Sequence, residues 1–298
     1  MQNLEHIRML VLSADLGSFS ACARRLGKAQ SAVSHAISSL EIDLDVELFD
    51  RSTRKPMLTP AGERLYRSAK ALLAQSEEFV QMAKAINQQE ESNLRIVLDD
   101  ALMTPAVASV LATFCHKFPY TQLDIQTHPS PDIIPLLLNN QASFGIMVSE
   151  ISAIKEVDFC YIGQIPMVPI CHPDHELARR ESINEPDLYP YRQIAIRGSQ
   201  QLESPMLMSV TPNVWWCSST LNALTLVKQG IGWSYLPLYL AQPYIDKKEL
   251  IKLDVSFDHQ TWQAPIDIVW PRGLTKGPAL TWLQNELKRV MPKDQCLS

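Results

Sequence analysis

The spacing of apolar residues changes character once along this chain, at the polar stretch Gln88-Gln89-Glu90-Glu91-Ser92-Asn93. Before it, apolar residues recur three and four apart, as helices require. After it, short apolar runs alternate with helical segments, as an α/β region requires. A chain of 298 residues with such a break is expected to hold two or three domains. Hydrophobic residues make up 46% and charged residues 20%, enough apolar side chain for real cores and too much for a disordered chain. No apolar run approaches the 18–20 residues of a membrane span. The start, Met1-Gln2-Asn3-Leu4-Glu5-His6-Ile7-Arg8, has neither the basic opening nor the unbroken apolar stretch of a signal peptide, so the expected location is the cytoplasm. In that reducing compartment the six cysteines (22, 115, 160, 171, 217 and 296), none in a CxxC pair, are expected to be free and mostly buried.

Leu4, Ile7, Leu10, Val11 and Ala14 lie on one helical face, and Asp15-Leu16-Gly17-Ser18 ends that run. Ser18 can cap a second helix over 19–26, closed by Gly27-Lys28. A third helix is expected over about 30–44, with Ala32, Val33, Ile37 and Leu40 on its buried face. Short helix, tight turn and longer helix make a helix-turn-helix pattern. Residues 48–59 place two apolar stretches around a basic tip, as in a small hairpin or wing. Thr59-Pro60-Ala61-Gly62-Glu63 then has the cap, first-turn proline and acid of a helix start. That helix, about 60–89, carries the stripe Leu65, Ala69, Leu72, Leu73, Phe79, Val80, Ala83 and Ile86. It is longer than one small domain can cover, so a partner chain is expected on it.

Beyond the break the pattern predicts strands at 94–98, 123–127, 143–148, 157–161, 167–171, 214–217, 232–236 and 266–270. Helices are predicted at 105–117, 133–139, 221–228, 237–244 and 279–290. This is an α/β region of largely parallel strands in two lobes, with no close internal repeat. The net charge of −5 argues at first against nucleic acid, but it is unevenly spread. Residues 1–90 hold 11 basic and 11 acidic groups, and the basic ones cluster as Arg24-Arg25-Lys28 and Arg51-Arg54-Lys55. A local basic face can hold phosphates on an acidic molecule.

Residues 17–26 (GSFSACARRL) and 29–37 (AQSAVSHAI), with Leu40-Glu41, Leu48-Phe49-Asp50-Arg51 and Leu58-Thr59-Pro60-Ala61-Gly62, resemble the LysR-type transcriptional regulators, without a gap over about seventy residues. Residues 173–178 (PDHELA) and 227–237 (VKQGIGWSYLP) look like that family's effector domain. The resemblance implies a winged helix-turn-helix at 1–60, a dimerising linker helix at 61–90, and a two-lobed effector domain at 91–298 like a periplasmic binding protein. Lobe I would comprise about 91–162 and 266–298, and lobe II about 163–265. It further implies a homodimer or homotetramer, a small inducer between the lobes, double-stranded DNA as partner, and RNA polymerase as a further candidate partner. No cofactor is expected.

By the same resemblance, Gln30, Ser31, Ser34 and His35 at the start of the third helix are the groove-contact set, since the first turns of such a helix reach base edges. The family often has Arg where His35 stands, which implies a weaker, pH-sensitive contact there. Arg51, Thr53, Arg54 and Lys55 in the wing would hold phosphates or enter the minor groove. On their own the same residues also read as a solvated helix face.

Ligands of α/β lobes sit beyond the carboxyl ends of strands, beside helix N-termini. Asp99 and Asp100 end the first strand there. Two carboxylates repel an anion and favour a ligand with an amine, an amide or ring N–H donors. The competing reading is that one caps the helix near Thr104 and the other faces water. Thr127, His128, Ser130, Arg197, Ser199, Ser218 and Thr220 are positional candidates, the Ser and Thr also being ordinary helix caps, and Gly198 and Ser219 lie among them. Trp215, Trp216 and Trp270 can stack on a ring or serve as core.

Cys171-His172-Pro173-Asp174-His175 has poor geometry for one metal ion and no second cluster. Cys160 and Cys171, on strands expected to be adjacent, make a thiol switch conceivable, though inert thiols are the default. Gly230-Ile231-Gly232 lacks the third glycine of a dinucleotide fingerprint, and GxSxG, Walker and HExxH motifs do not occur. Enzymatic chemistry has no support in the sequence. The rival reading is a cytoplasmic solute-binding module without a regulatory DNA role, against which the missing signal peptide counts.

Overall fold

The computed structural model describes residues 3–50, 56–149, 154–204 and 209–291. The chain divides into two compact units, Met1–Gln88 and Gln89–Ser298.

The first unit contains α1 (Leu4–Leu16), α2 (Phe19–Leu26), α3 (Gln30–Leu44), β1 (Phe49–Asp50), β2 (Met57–Leu58) and α4 (Pro60–Asn87). Asn3 and Ser18 cap α1 and α2 through their side chains, satisfying first-turn N–H groups. Leu10, Val33, Ile37, Leu40, Leu48 and Phe49 form the core of this unit. Ala32, expected on the buried face, is exposed, and Ala36 is buried instead. At about 100° per residue, Val33, Ala36, Ile37 and Leu40 define one stripe, and Ala32 falls beside it. β1 and β2 pair antiparallel, Phe49 opposite Leu58 and Asp50 opposite Met57. Thr59 caps α4, accepting from the Gly62 N–H at 2.9 Å and donating to the Glu47 carbonyl at 2.6 Å. Gly62 presses so closely on this corner that a Cβ would lie 2.1 Å from the Leu48 carbonyl oxygen. Ala69 is buried and Leu65, Tyr66 and Leu73 pack on the core, while Leu72, Phe79, Val80, Met82 and Ile86 remain exposed.

The second unit runs β3 (Asn93–Leu98), α5 (Pro105–Lys117), β4 (Gln122–Thr127), α6 (Ser130–Leu138), β5 (Phe144–Val148), β6 (Val157–Cys171), α7 (Glu185–Leu188), β7 (Gln193–Ile196), β8 (Val214–Cys217), α8 (Thr220–Lys228), β9 (Trp233–Pro237), α9 (Leu238–Asp246), β10 (Ile251–Lys252), β11 (Trp262–Pro271) and α10 (Pro278–Val290). Short 3₁₀ turns at Asp100–Leu102 and Glu176–Arg179 lie between them. One sheet runs in the order β4-β3-β5-β11-β6-β9-β7-β8, with β10 also on β6. The expectation of largely parallel strands holds only at its two ends. β3 is parallel to β4 and β5, and β7 to β8 and β9, but β11 is antiparallel to β5 and β6, and β6 to β9 and β10. The expected strands at 157–161 and 167–171 are one strand, β6, paired with β11 across the interval. Gly163 stands opposite Ile266, where the register shifts. Each end of the sheet carries its own core, Phe114, Phe144, Ile146 and Leu283 on one side and Val168, Ile194, Val227 and Leu236 on the other. These are the two lobes, joined by β6 and β11.

Glu90 and Glu91, in the polar stretch where the sequence pattern changes, are docked. Glu90 accepts from the Thr121 hydroxyl at 3.0 Å, and Glu91 accepts from the Ala279 and Leu280 N–H groups, capping α10. No helix among the described residues is long and apolar enough to cross a membrane.

Candidate functional site

In the first unit, α3 presents a polar outer face over a fully buried inner one. Gln30, Ser31 and His35 are exposed, Ser34 is half-buried, and Ala32 lies among them. The exposed Ala32 methyl therefore belongs to the outward set that sequence reasoning missed; such a methyl can touch a thymine methyl. Ala29, at the N-cap, offers no side-chain acceptor. The first N–H groups of α3 thus point outward with the positive end of the helix dipole, a setting that suits a phosphate. Arg24 and Arg25 are exposed in the last turn of α2. Lys28 is committed to Glu5 at 2.7 Å, whose carboxyl is held below its usual range by that contact. It is therefore not the free cation that the basic cluster suggested. Glu41, on α3, accepts from the Leu48 and Phe49 N–H groups at 2.9 and 3.2 Å and pins the base of the hairpin to α3. Arg51, Thr53, Arg54 and Lys55 lie outside the described residues.

In the second unit, the capping reading of Asp99 and Asp100 is corrected in part. Thr104 caps α5 with its own side chain, while Asp99 caps the short turn Asp100–Leu102 and Asp100 is half-buried. Asp99 is 3% exposed. It accepts from the Ala101 N–H at 3.0 Å, the Ser130 N–H at 2.8 Å and the Ser130 hydroxyl at 2.5 Å, while the Ser130 oxygen accepts from the Val148 N–H. Burial pushes the Asp99 carboxyl up to about 6, against the Ser130 and Ala101 bonds that favour its charged form. Asp99 and Ser130 therefore tie β3, α6 and β5 together within one lobe.

Asp100 reaches across to the other lobe. Its Oδ2 accepts from the Ser219 hydroxyl at 2.7 Å and the Thr220 N–H at 2.8 Å, capping α8. Asp132, in the first turn of α6, does the same elsewhere: it accepts from the Ser199 N–H at 2.8 Å and the Ser199 hydroxyl at 3.1 Å. A Cβ at Gly198 would stand 2.5 Å from that carboxylate, so the approach depends on glycine. The Tyr239 hydroxyl, on α9, donates to the Ala101 carbonyl at 3.2 Å. Two protein carboxylates thus fill the helix and loop N–H positions that an anionic ligand would otherwise seek. Asp132 was missed in the sequence; an acid three residues into a helix looks like an ordinary dipole partner, and its real partner is 67 residues away.

A cavity of about 290 Å³ lies against β7, β9, β6 and β11, and reaches Asp99, Ala101 and Thr220. Of the sequence candidates only Asp99 and Thr220 line it. Thr127 is exposed at the end of the edge strand β4, His128 just beyond it is half-buried, Ser218 is exposed, and Arg197 stacks 5.0 Å from the Trp216 ring. Trp215 is exposed with Arg192 over its ring at 4.2 Å, and Trp270 is half-buried with Lys276 over it at 3.4 Å. Cations stand over these faces, and Trp270 also packs against the core of Phe114, Phe144, Ile146 and Leu283. The cavity's own polar ends are Asp258 and Tyr235, whose hydroxyl donates to Asp258 at 2.6 Å. His175 spends its Nδ1 on the Leu177 N–H as a cap. Cys160 and Cys171 share one strand rather than adjacent ones; at roughly 3.3 Å per residue they lie on the order of 30 Å apart, too far to pair. Burial pushes the Cys171 thiol up to about 12.

A helix-turn-helix with a short hairpin, joined in one chain to a two-lobed α/β unit with a closed cleft and a cavity, defines a DNA-binding regulator with an effector-binding domain. Residues 4–63 match the bacterial regulatory helix-turn-helix protein, lysR family, and residues 87–292 match the LysR substrate binding domain. The chain belongs to the LysR family of transcriptional regulators. It is 29% identical to the HTH-type transcriptional regulator AceR of Acinetobacter baumannii over 97% of this chain and 98% of that one. It is 30% identical to the multiple virulence factor regulator MvfR of Pseudomonas aeruginosa over 87% of this chain and 77% of that one. The fold is that of a Corynebacterium glutamicum OxyR C206 mutant (TM-score 0.53, 22% identity, 97% of this chain and 93% of that one).

Proposed function

We propose that this regulator reads DNA through Gln30, Ser31, Ser34 and His35, with Ala32 against the bases and with Arg51, Thr53, Arg54 and Lys55 on the backbone or minor groove. It does so under control of a small ligand bound in the second unit and has no catalytic role. The observation that carries this is the outward face of α3 at its uncapped N-terminus, laid over the buried stripe Val33, Ala36, Ile37 and Leu40. Residues 1–60 then act as the DNA-binding domain, 61–90 as the dimerising linker, and 91–298 as the effector domain, with lobes at about 91–162 with 266–298, and 163–265. The exposed Leu72, Phe79, Met82 and Ile86 on α4 support pairing with a second copy, and dimers of dimers then set the spacing of half-sites. The ligand, an amine or another N–H donor, shifts the lobes and through them the arrangement on DNA, which requires unequal affinity for two states. RNA polymerase is the downstream partner, and the cytoplasm the place of action.

The test is binding of purified full-length protein to duplexes selected from genomic DNA. Gln30→Ala is expected to cost about 1–3 kcal/mol on the selected sequence and little on random duplex. Unchanged preference after Gln30→Ala and Arg54→Ala together overturns the assignment. A solute-binding module without a DNA role would show no salt-dependent duplex binding at all.

A further inference from the structure

The cavity beside β7 and β9 has a one-sided chemistry. Its walls are chiefly aliphatic and aromatic, and among the described residues its two charged lining residues are Asp99 and Asp258, with no Lys, Arg or His lining it. The side-chain donors on its wall are neutral ones, the Gln193 amide, the Thr220 hydroxyl and the Trp262 indole N–H, and neighbouring donors are taken up within the protein. Asp100 takes the Thr220 N–H, Asp132 takes the Ser199 N–H, and the Ser234 hydroxyl donates to the Ile194 carbonyl at 2.6 Å. At Asp258, Oδ2 accepts from the Tyr235 phenol, while Oδ1 has no hydrogen bond and no cation among the described residues. Burial and the Asp258 contact push the Tyr235 phenol up, so it stays a donor. The Tyr235 and Trp262 rings stand edge to face, 6.5 Å between centroids, on the same wall.

We propose that this cavity takes an organic amine, its ammonium at Asp258 beside the Tyr235 and Trp262 rings and its hydrocarbon body against Met167, Ile194 and Ile196. A buried ammonium needs a carboxylate partner, and the electron-rich faces of Tyr and Trp attract cations in addition. Asp258 supplies the first and the two rings supply the second. A carboxylate ligand of the same shape would meet two acids and, among the described lining residues, neutral donors but no cation. The assignment rests on the reading of the second unit as the effector domain, and moves the amine-selecting group from Asp99 and Asp100 to Asp258.

The experiment is calorimetric titration of the full-length protein with three probes of one shape: 2-phenylethylamine, 2-phenylethanol and 3-phenylpropionate. The expected result is binding of the amine at least tenfold tighter than of the alcohol, no detectable binding of the acid, and loss of the amine preference in Asp258→Asn, which keeps an acceptor for Tyr235. Hexylamine serves as a second amine with an unbranched body. Equal affinity for amine and acid, absence of binding by both amines, or an unaltered preference in Asp258→Asn overturns the proposal. Duplex binding is measured on the same preparations. Lost amine preference with retained duplex binding removes the ligand class alone; retained amine preference without duplex binding upholds it and removes the regulator assignment of the α3 face.

Discussion

Asp99 shows how burial and hydrogen bonding compete on a single carboxyl. Three donors favour the charged form, yet desolvation wins and raises the group from 3.8 to about 6. The folded state then holds a proton that the unfolded state has released between those values. Stability from this group is fully present below pH 3.8, falls as pH rises toward 6, and stays lower above it. At about 1.4 kcal/mol per pH unit the whole loss is on the order of 3 kcal/mol. A ¹³C titration of the Asp99 carboxyl should give a midpoint near 6; a midpoint near 4 would show that the Ser130 and Ala101 bonds prevail. Gly62 poses a second contest. Helix propensity favours Gly62→Ala by up to about 1 kcal/mol, but the new Cβ meets the Leu48 carbonyl at 2.1 Å. The clash should dominate and lower stability by about 1–3 kcal/mol in denaturant unfolding. The glycine itself was plain in the sequence as part of a helix start. Its reason was not, because Leu48 is brought against it by the hairpin.

Among the elements, α8 and the Gly198–Ser199 loop are held by acids from the opposite lobe. Removing the cap in Asp100→Ala should cost about 1 kcal/mol and speed hydrogen exchange at the Thr220 amide, leaving amides in α5 unchanged. Uniform exchange would mean that the contact contributes nothing to the closed arrangement. The helix boundaries around these sites were largely legible, since Thr104-Pro105, Thr59-Pro60 and the apolar spacing mark starts and faces locally. Two things were not. β6 reads as two strands because Gly163 and Pro166 interrupt its apolar pattern between 161 and 167, and only its long pairing with β11 carries it through. α6 begins at Ser130, earlier than its apolar run suggests, because Asp132 and Pro131 form its polar first turn.

For the whole molecule, the exposed stripe on α4 predicts association. Phe79 is 73% and Ile86 64% exposed, an arrangement that isolated helices in water do not favour. Phe79→Glu with Ile86→Glu should convert oligomers to monomers in light scattering at micromolar concentration, with the helical signal retained. Monomers already in the unaltered protein would rule out α4 as the dimerising element. Duplex affinity should also fall steeply between 50 and 200 mM salt, by roughly a thousandfold if six phosphates are contacted.

The amino-acid order alone determined the helical first unit, the change at residue 88, the outward face of α3 and the family, because these depend on local spacing, caps and punctuation. Tertiary structure alone decided that Ala32 faces out, that Lys28 is spent on Glu5, that Asp100 and Asp132 bridge the lobes, and that Asp258 closes a cavity with Tyr235. Partners such as Asp100 and Thr220, 120 residues apart, meet only when two lobes fold and close, and no local periodicity records that meeting.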